Sequence, residues 1–376
     1  MTRLDAGSVA APAALDFGET PETQVKSAPE PTSWRDVLAP YARPNRKRSA
    51  IDVLTSVLPY AALSVLMYLE VNRSYPLTLL LAIPTAGFLI RTYIVFHDCA
   101  HGSFLPSKRA NAWLGTAVGL LVFQTFGCWR HSHAVHHATA GDLDRRGVGD
   151  VMTITVAEYH GRSRRGQLLY KLFRHPLVMF GVGPIVALVV QPRVVPRTAR
   201  PRIKRGVHAT NLALAALIAG LCLLVGWRDY LLVQGPIAML GGATGIWLFY
   251  VQHQFEDVYW SGSEGWSYVD AALHGSSYLK LPKALQFFSG NIGLHHVHHL
   301  YARIPNYNLQ RAHDDNAMFH NVPTLSLLDG LRAVRLKLYD EDRGCMVTFA
   351  QARDNASQQP RPAATQLVSS GQIPGA

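Results

Sequence analysis

Four long apolar runs constrain the fold of this chain more than any other feature of its sequence. They occupy residues 51–69, 75–96, 207–225 and 231–250, and they contain almost no charged side chains. A helix needs about twenty apolar residues to cross the hydrocarbon of a bilayer, and such runs seldom follow one another in a soluble core. We therefore predict an all-α integral membrane protein with four transmembrane helices.

Two shorter apolar runs and two polar tails complete the predicted organisation. Residues 113–126 and 177–190 are mainly apolar and hold fourteen residues each. They are too short to span a bilayer and are predicted to be interfacial helices. Residues 1–36 and 351–376 have little apolar periodicity, so we expect them to be disordered tails on either side of one membrane domain at 37–350.

The charged residues indicate which side of the membrane each end faces. The 376-residue chain is 48% hydrophobic and only 16% charged, yet its formal net charge is +11. The basic residues crowd the ends of apolar runs and do not interleave with aromatic residues as in a nucleic-acid-binding domain. By the positive-inside rule we expect both basic clusters and both termini in the cytoplasm. The clusters are Arg43, Arg46, Lys47 and Arg48 before the first run, and Arg193, Arg197, Arg200, Arg202, Lys204 and Arg205 before the third.

Nine of the seventeen histidines form three tight boxes and one satellite. Imidazole is a ligand suited to iron, zinc, copper and nickel. A helix places residues three and four apart on one face, so we expect each HxxHH box to offer three imidazoles to one point. Nine ligands are too many for one ion, and the pattern indicates an oxygen-activating metal centre. The set is His97 and His101; His133, His136 and His137; His295, His298 and His299; and the satellite His253.

The positions of the boxes relative to the apolar runs place all of them at one membrane face. Only 31 residues lie between His101 and His133. Crossing the bilayer and returning needs about forty apolar residues, so the first two boxes share a side. Two full spans separate His137 from His253, and an even number of crossings returns the chain to the same face. We therefore predict that the boxes meet on the cytoplasmic side.

Polar residues beside the boxes are candidates to form a hydrogen bond with the far nitrogen of each ligand, which is the ring nitrogen that does not bind the metal. Metal-bound histidines usually donate that N–H to a carboxylate or a carbonyl group, and Asp98 and Asn291 lie inside or next to boxes. The four cysteines form no CxxC pair, which argues against a zinc ribbon, and Cys99 is expected to face away from the metal. Four further carboxylates fit a capping or solvated role at least as well: Asp142, Asp144, Glu256 and Asp257.

Read in order, the boxes resemble those of the membrane-bound fatty acid desaturase family. The segments HDCAHGSF, WRHSHAVHHATAGDLDRRGVGD and NIGLHHVHHLYARIPNYNL are similar to its bacterial and plant Δ12, or omega-6, branch, and the resemblance covers roughly residues 45–345. It implies that all nine histidines bind two irons, with no catalytic residue beyond them. It also implies that the chain uses O2 to insert a cis double bond into a long acyl chain, as in a Δ12-type enzyme acting on a monounsaturated acyl lipid.

The electrons for such a reaction are expected to come from another protein. The chain has no GxGxxG after a strand, no P-loop and no recognisable cytochrome or iron–sulfur motif. A ferredoxin, or a b-type cytochrome with its reductase, is the expected donor, and such proteins are often acidic. The cationic cytoplasmic face would attract one, so the predicted partners are this donor, the acyl lipid substrate and membrane lipids, but no nucleic acid.

Two other functions are compatible with the histidine pattern. A hydroxylase on the same scaffold would remove one hydrogen and insert oxygen, and spacing alone does not separate it from a desaturase. A membrane metal transporter is the non-enzymatic alternative. Transporters usually bury polar ligands near the bilayer midplane, whereas these histidines lie at predicted helix ends, which favours an enzyme.

Overall fold

Four helices are long and apolar enough to cross a membrane in the computed structural model, which describes residues 33–197 and 199–358. They confirm the four predicted spans. A short helix α1, Trp34–Leu38, precedes α2, Arg46–Glu70, and α3, Tyr75–His101, and the later pair is α9, Pro201–Val225, and α10, Trp227–His253. Each spanning helix is longer than its apolar run, because α2 and α9 begin with basic residues and α3 and α10 end with histidines.

Local caps set where the first two spans begin and end. The side chain of Asn45 accepts a hydrogen bond from the amide of Arg48 at 3.1 Å, which caps α2. Ser74 caps α3 in the same way. Gly102 ends α3 at φ +68°, in the left-handed region that favours glycine. The terminal turn of α3 therefore contains His97 and His101.

The two shorter apolar runs are helical, and each lies in a bent pair of helices. Helices α4, Lys108–Leu121, and α5, Phe126–Thr139, meet at 103°, and Phe123 in their connection has a φ of +57°. After α6, Val156–Gly161, helix α7, Arg164–Phe173, meets the segment Val178–Arg193 at 56°. That segment includes a single α-helical turn, α8, Gly183–Ile185, between π-helical turns. Each bent pair of helices could form at most one membrane span, interrupted by the bend. This agrees with apolar runs that are too short to cross a bilayer as one straight helix.

A small residue brings two spanning helices into close contact. A Cβ atom added to Gly241 on α10 would lie 2.9 Å from Cδ2 of Leu89 on α3. Helices pack closely in a membrane where small residues let the backbones approach. The side chains of Phe96 and Cys99 on α3 are buried in the same apolar cluster, so Cys99 faces the core as expected. This packing aligns the ends of α3 and α10 that carry histidines.

The rest of the described chain folds into short helices and two small sheets. The strands hold only two or three residues each, too few for a periodic pattern, and were not predicted. The strands are β1, Ile154–Thr155; β2, Tyr278–Lys280; β3, Thr324–Ser326; β4, Leu338–Asp340; and β5, Cys345–Val347. Strand β2 pairs in parallel with β3, and β4 lies between β1 and β5. The helices are α11, Tyr268–Leu273; α12, Lys283–Phe288; α13, His295–Leu300; α14, Asn306–Asp314; α15, Leu327–Ala333; and α16, Phe349–Gln358.

The expected tail boundaries fall inside helices at both ends. Helix α1 begins at Trp34, ahead of the expected boundary at residue 36, and α16 continues to Gln358, beyond the expected boundary at 351. The helical part of the chain is therefore slightly longer than 37–350. Residues 1–32 and 359–376, which make up most of the two expected tails, lie outside the described residues.

Candidate metal centre

Four separate elements deliver the predicted histidines. His97 and His101 occupy the last turn of α3, with ring centroids 4.7 Å apart, and His253 is the last residue of α10. Box two lies on α5 and box three on α13. The structure thus brings together all nine histidines named from the sequence.

The ligand atoms of eight histidines separate into two groups of four. The first group is His97, His101, His133 and His298, and the second is His136, His253, His295 and His299. Within each group the ligand nitrogens lie within 4.8 Å of one another, and each group could hold one metal ion.

The ninth histidine, His137, lies between the groups. Its Nε2 is 3.2 Å from Nε2 of His133 and 3.0 Å from Nε2 of His298, both in the first group. Its ring also stacks on that of His299, in the second group, with centroids 4.1 Å apart. His137 therefore contacts histidines of both groups.

The expectation that each HxxHH box serves a single point is wrong. In box two, His133 joins the first group and His136 the second; in box three, His298 joins the first and His295 the second. Residues three apart share a face of an α-helix but still differ by about 60° around its axis. The packing of neighbouring elements therefore decides which group each of the two rings joins.

Hydrogen bonds at Nδ1 orient two rings of the second group so that their Nε2 atoms face a shared point. The Nδ1 of His253 lies 3.1 Å from the carbonyl oxygen of Gly275, which can only accept, so this nitrogen carries the proton. The Nδ1 of His136 is hydrogen-bonded to the carboxylate of Asp150. The Nε2 atoms of the two rings lie 3.2 Å apart. When both rings are neutral and protonated at Nδ1, each has a lone pair on Nε2 that a cation between them would accept.

The first group has the same arrangement. The Nδ1 of His97 lies 3.0 Å from Oδ1 of Asp98, and its Nε2 faces Nε2 of His133 at 3.1 Å. The Nε2 atoms of His101, in the first group, and of His299, in the second, are buried without a hydrogen-bond partner in the described part of the chain. Leaving such an atom unpaired costs about 1–3 kcal/mol. Metal coordination would satisfy both atoms, and an all-imidazole donor set suits iron, zinc or copper.

Burial keeps the candidate ligands in the neutral form that a metal needs. Burial, followed by repulsion from neighbouring imidazoles, holds the pKa of His133, His137 and His298 well below its usual value. The same two causes lower the pKa of His295 and His299. At neutral pH these rings are therefore free of a second proton and can donate a lone pair to an ion.

Of the two residues expected to form a hydrogen bond with a far nitrogen, only Asp98 is hydrogen-bonded to a histidine of the two groups among the described residues. Asp98 contacts His97 as expected, whereas the side-chain amide of Asn291 donates to the carbonyl oxygen of Asn306 at 3.1 Å. Asn291 has a φ of +58° and forms part of the turn before box three. Asp150, which contacts His136, was missed, because it lies thirteen residues after His137 in a glycine-rich loop. Of the four other carboxylates considered, Asp142 anchors its loop by accepting hydrogen bonds from the side chains of Ser263 and Arg145.

Two histidines outside the nine form hydrogen bonds away from the two groups. His296, inside box three, points away from the groups, and its Nε2 lies 3.0 Å from Nδ1 of His313. Burial, followed by the neighbouring His313, lowers the pKa of His296 to about 3. His160 contacts the carbonyl oxygen of Ala352. Both histidines are therefore hydrogen-bonded outside the two groups.

The fold and the paired histidine groups define a membrane enzyme of the histidine-box type, and comparison with known proteins identifies the family. The family model described as fatty acid desaturase matches residues 74–324. A fatty acid desaturase of Bacillus subtilis is 47% identical over 312 residues, which cover 83% of this chain and 89% of the relative. The chain belongs to the fatty acid desaturase family and is an oxidoreductase.

More distant relatives have more specific names. An sn-1 acyl-lipid omega-3 desaturase (ferredoxin) of Synechocystis is 28% identical over 230 residues, covering 58% of this chain and 62% of the relative. A chloroplastic omega-6 fatty acid desaturase of Arabidopsis thaliana is 25% identical over 298 residues, covering 76% of this chain and 64% of the relative. Omega-3 and omega-6 enzymes are thus both similar to this chain.

Proposed function

We propose that this chain is an O2-dependent diiron desaturase that inserts a cis double bond into a long acyl chain of a membrane lipid. The observation that carries the proposal is the pair of opposed histidine groups at the ends of two membrane-spanning helices. Nε2 of His97 lies 3.1 Å from Nε2 of His133 in the first group, and Nε2 of His136 lies 3.2 Å from Nε2 of His253 in the second, as ligands of one shared ion in each group would. A site at the ends of spanning helices would lie at the membrane surface, where a lipid tail could reach it.

The nine histidines are the proposed iron ligands. When bound, two irons would supply the oxidising power that protein side chains lack for removing hydrogen from an unactivated methylene pair. The role of the protein is to fix the positions of the nitrogens. Asp98 holds the proton of His97 Nδ1, and the carbonyl group of Gly275 holds that of His253, so each ring turns its Nε2 inward.

The position that we propose for the new double bond is Δ12, of the omega-6 type, in a monounsaturated chain. Support comes from the omega-6 relatives, of which that of Arabidopsis thaliana is 25% identical. The relative with 47% identity has no position in its name. The experiment must therefore record every double-bond position and not the diunsaturated product alone.

We further propose that the site lies on the cytoplasmic face of a bacterial inner membrane and receives electrons from a ferredoxin. The basic residues at the start of α2 and α9 lie at the same ends of their hairpins as His97 and His253, which supports this orientation. The Synechocystis relative has ferredoxin in its name. A b-type cytochrome with its reductase is the other donor that the test should include.

Lipid analysis of a bacterial host tests the reaction. The host should express the chain together with a ferredoxin and its reductase, and its fatty acids should be analysed by gas chromatography with mass spectrometry. We expect a new cis double bond, with loss of the product when His101 is replaced by Ala. Hydroxy acids in place of the alkene would identify a hydroxylase. An unchanged profile with a donor known to be active, together with metal uptake into vesicles, would identify a transporter.

A further inference from the structure

A cleft between four helices lies in the half of the membrane away from the histidines. Its two long walls are the second halves of α2 and α9, and the end of α4 and the start of α10 close its other sides. Tyr230 and Gln234 line it from the first turns of α10, whereas His253 ends the same helix. The cleft has a volume of about 460 Å³, which is within the range of sites that bind small molecules.

The length of the cleft matches the thickness of one leaflet of the bilayer. Leu214 and Val225 bound its α9 wall and are eleven residues apart, which corresponds to about 16 Å of helix. The hydrocarbon of a bilayer is about 30 Å thick, so the chains of each leaflet fill about 15 Å. One acyl chain would therefore extend from the outer end of the cleft, near the membrane surface, to its inner end at the bend between α4 and α5.

The lining of the cleft suits a hydrocarbon chain, and its volume is too small for a helix. The walls are mainly aliphatic, and the lining residues Val65 on α2 and Leu217 on α9 remain exposed, so the cleft is open to lipid at its side. A helix about 10 Å wide and about 16 Å long fills about 1,200 Å³. This is more than twice the volume of the cleft. A helix of a second copy therefore does not fit, whereas a single acyl chain is narrow enough.

Polar groups lie along one side of the cleft, and one of them is free to bind a lipid. The side-chain amide of Gln234 donates to the hydroxyl of Tyr68 at 3.1 Å, and the hydroxyl of Tyr60 donates to Oε1 of Gln234 at 3.4 Å. The hydroxyl of Tyr230 has no hydrogen-bond partner among the described residues. Tyr230 lies three residues after Trp227, where α10 begins, and tyrosine is enriched at this depth of a membrane. Its hydroxyl can therefore donate to the carbonyl oxygen of a lipid ester.

The charged residues at the outer end of the cleft are paired. Glu70 and Asp229 each adjoin a residue that lines the cleft. Glu70 pairs with Arg73 at 3.5 Å, and Asp229 pairs with Arg228 at 3.8 Å. These two pairs carry no net charge, so they do not favour an anionic headgroup over a zwitterionic one. Recognition at this site would depend on the acyl chain and its ester group.

Buried apolar side chains separate the inner end of the cleft from the histidines. Leu121 and Phe123, at the bend between α4 and α5, line this end. Val122, Phe126 and Phe96 belong to a buried apolar cluster beside the bend, and Phe96 lies in the part of α3 that carries the first box. A chain in the cleft is therefore held apart from the histidines. It instead contacts the bend that leads into α5, the helix of box two.

We infer that this cleft binds one ester-linked acyl chain of a phospholipid from the leaflet opposite the histidines. The bound lipid is distinct from the substrate, and the inference does not depend on the proposed reaction. Lipid tails are as apolar as the lining, so the affinity must come from close packing and from the hydrogen bond of Tyr230. The bound chain would also support the bend between α4 and α5.

Substitution of two neighbouring alanines tests the site. Ala61 on α2 lines the cleft, whereas Ala62 is exposed beside it and does not line it. Ala61→Trp should fill the cleft and weaken the binding of dioleoyl phosphatidylethanolamine by about tenfold, as measured by native mass spectrometry of the intact chain in detergent. Ala62→Trp is the matched control and should bind this lipid as the wild type does. Equal affinities of the two variants, or a wild type that retains no lipid, would overturn the site.

Removal of one hydroxyl tests the recognition of the ester. Tyr230→Phe keeps the ring and should weaken the binding of the ester-linked lipid several-fold. The wild type should bind the ether-linked analogue, which lacks the carbonyl oxygen, as weakly as Tyr230→Phe binds the ester. Dioleoyl phosphatidylglycerol should bind as tightly as the phosphatidylethanolamine. Equal binding of the ester by Tyr230→Phe and the wild type, or a preference for the anionic lipid that Ala61→Trp leaves unchanged, would contradict this mode of recognition.

Photo-crosslinking of the wild type tests the site without any variant. The probe is a phosphatidylethanolamine with a diazirine at the methyl end of one acyl chain, incorporated into nanodiscs with the intact chain. Mass spectrometry of the peptides should find crosslinks at residues 120–123, which line the inner end of the cleft. Crosslinks only at Leu212, an exposed residue of α9 outside the cleft, would show that the chain stays in the bulk lipid and that the inference is wrong. A dimer that Ala61→Trp dissociates would also overturn it, because a second copy would then occupy the cleft.

Discussion

Asn306 donates two hydrogen bonds to Oδ2 of Asp98, from its backbone amide at 2.7 Å and from its side-chain amide at 3.0 Å. The other oxygen of this carboxylate contacts Nδ1 of His97. The side chain of Asn306 also reaches Asp52 on α2 at 2.9 Å, and Asp52 forms an ion pair with Arg91. A chain of buried polar groups therefore fixes the orientation of His97 from α14, α2 and α3 together.

Asp98→Asn should loosen this arrangement. An amide cannot hold the proton of His97 Nδ1 as a carboxylate does, so the ring loses its preferred tautomer. Replacing a residue that is hydrogen-bonded to a metal-binding histidine lowers the affinity for the metal about 10–100-fold. We expect a loss of iron in that range, measured by chelator competition. Asp144→Asn, an exposed carboxylate near box two, is the control and should retain its iron. Equal affinities of the two variants would contradict the role of Asp98.

Replacement of single histidines should divide them into ligands and bystanders. His101→Ala, His136→Ala and His298→Ala should abolish turnover, because each removes a nitrogen that faces a proposed ion. His320→Ala and His175→Ala should retain most activity, since neither residue belongs to the two groups. Turnover is measured at matched expression. Similar activities in the two sets would show that the division is wrong.

The two groups should lose their ions separately. The intact protein is expected to contain about two irons per chain in elemental analysis. His101→Ala should lose the ion of the first group and His253→Ala that of the second, so each variant should retain about one iron. A single zinc under iron-replete expression would rule out the diiron proposal, and loss of both ions in each variant would show that the groups are not independent.

Lys337→Met should stabilise the protein in a pH-dependent way. Burial, followed by repulsion from Arg174, lowers the pKa of Lys337 from 10.5 to about 7. Between these values the unfolded chain binds a proton that the folded chain does not, so the native lysine costs stability as the pH falls from 10.5 to 7. Met removes this cost, on the order of 1–4 kcal/mol. The melting temperature should therefore rise at pH 7, and the gain should shrink at pH 9.5.

An exposed lysine provides the control for this measurement. Lys283→Met changes an exposed lysine at the start of α12 and should leave the melting temperature near that of the wild type at both pH values. If Lys337→Met lowers the melting temperature at pH 7, the contact of its Nζ with the hydroxyl of Tyr250 outweighs the cost of burial.

The membrane orientation can be tested by labelling single cysteines. Cysteines placed beside Arg73 and Trp227 should react with an impermeant reagent added from the far side of the inner membrane. A cysteine beside Arg200 should react only from the cytoplasm, because it precedes α9 in the basic connection. Labelling at Arg200 from the far side would contradict the proposed orientation.

The sequence alone determined the four spans and the meeting of the nine histidines at one membrane face. Both follow from local quantities: the length of an apolar run sets whether it can cross a bilayer, and the parity of crossings sets the side on which a box emerges. The helical spacing of HxxxH was also sufficient to place His97 and His101 together at the end of α3. None of these conclusions needed the relative positions of distant elements.

Only the tertiary structure decided how the boxes divide between the two groups and which residues support them. The split of His298 from His295 depends on how α13 rotates against α3 and α10, and spacing does not encode that rotation. Asp150 reaches His136 through the fold of a loop, and Asn306 reaches Asp98 across 208 residues of sequence. Such contacts arise from the packing of separate elements and have no periodic signature along the chain.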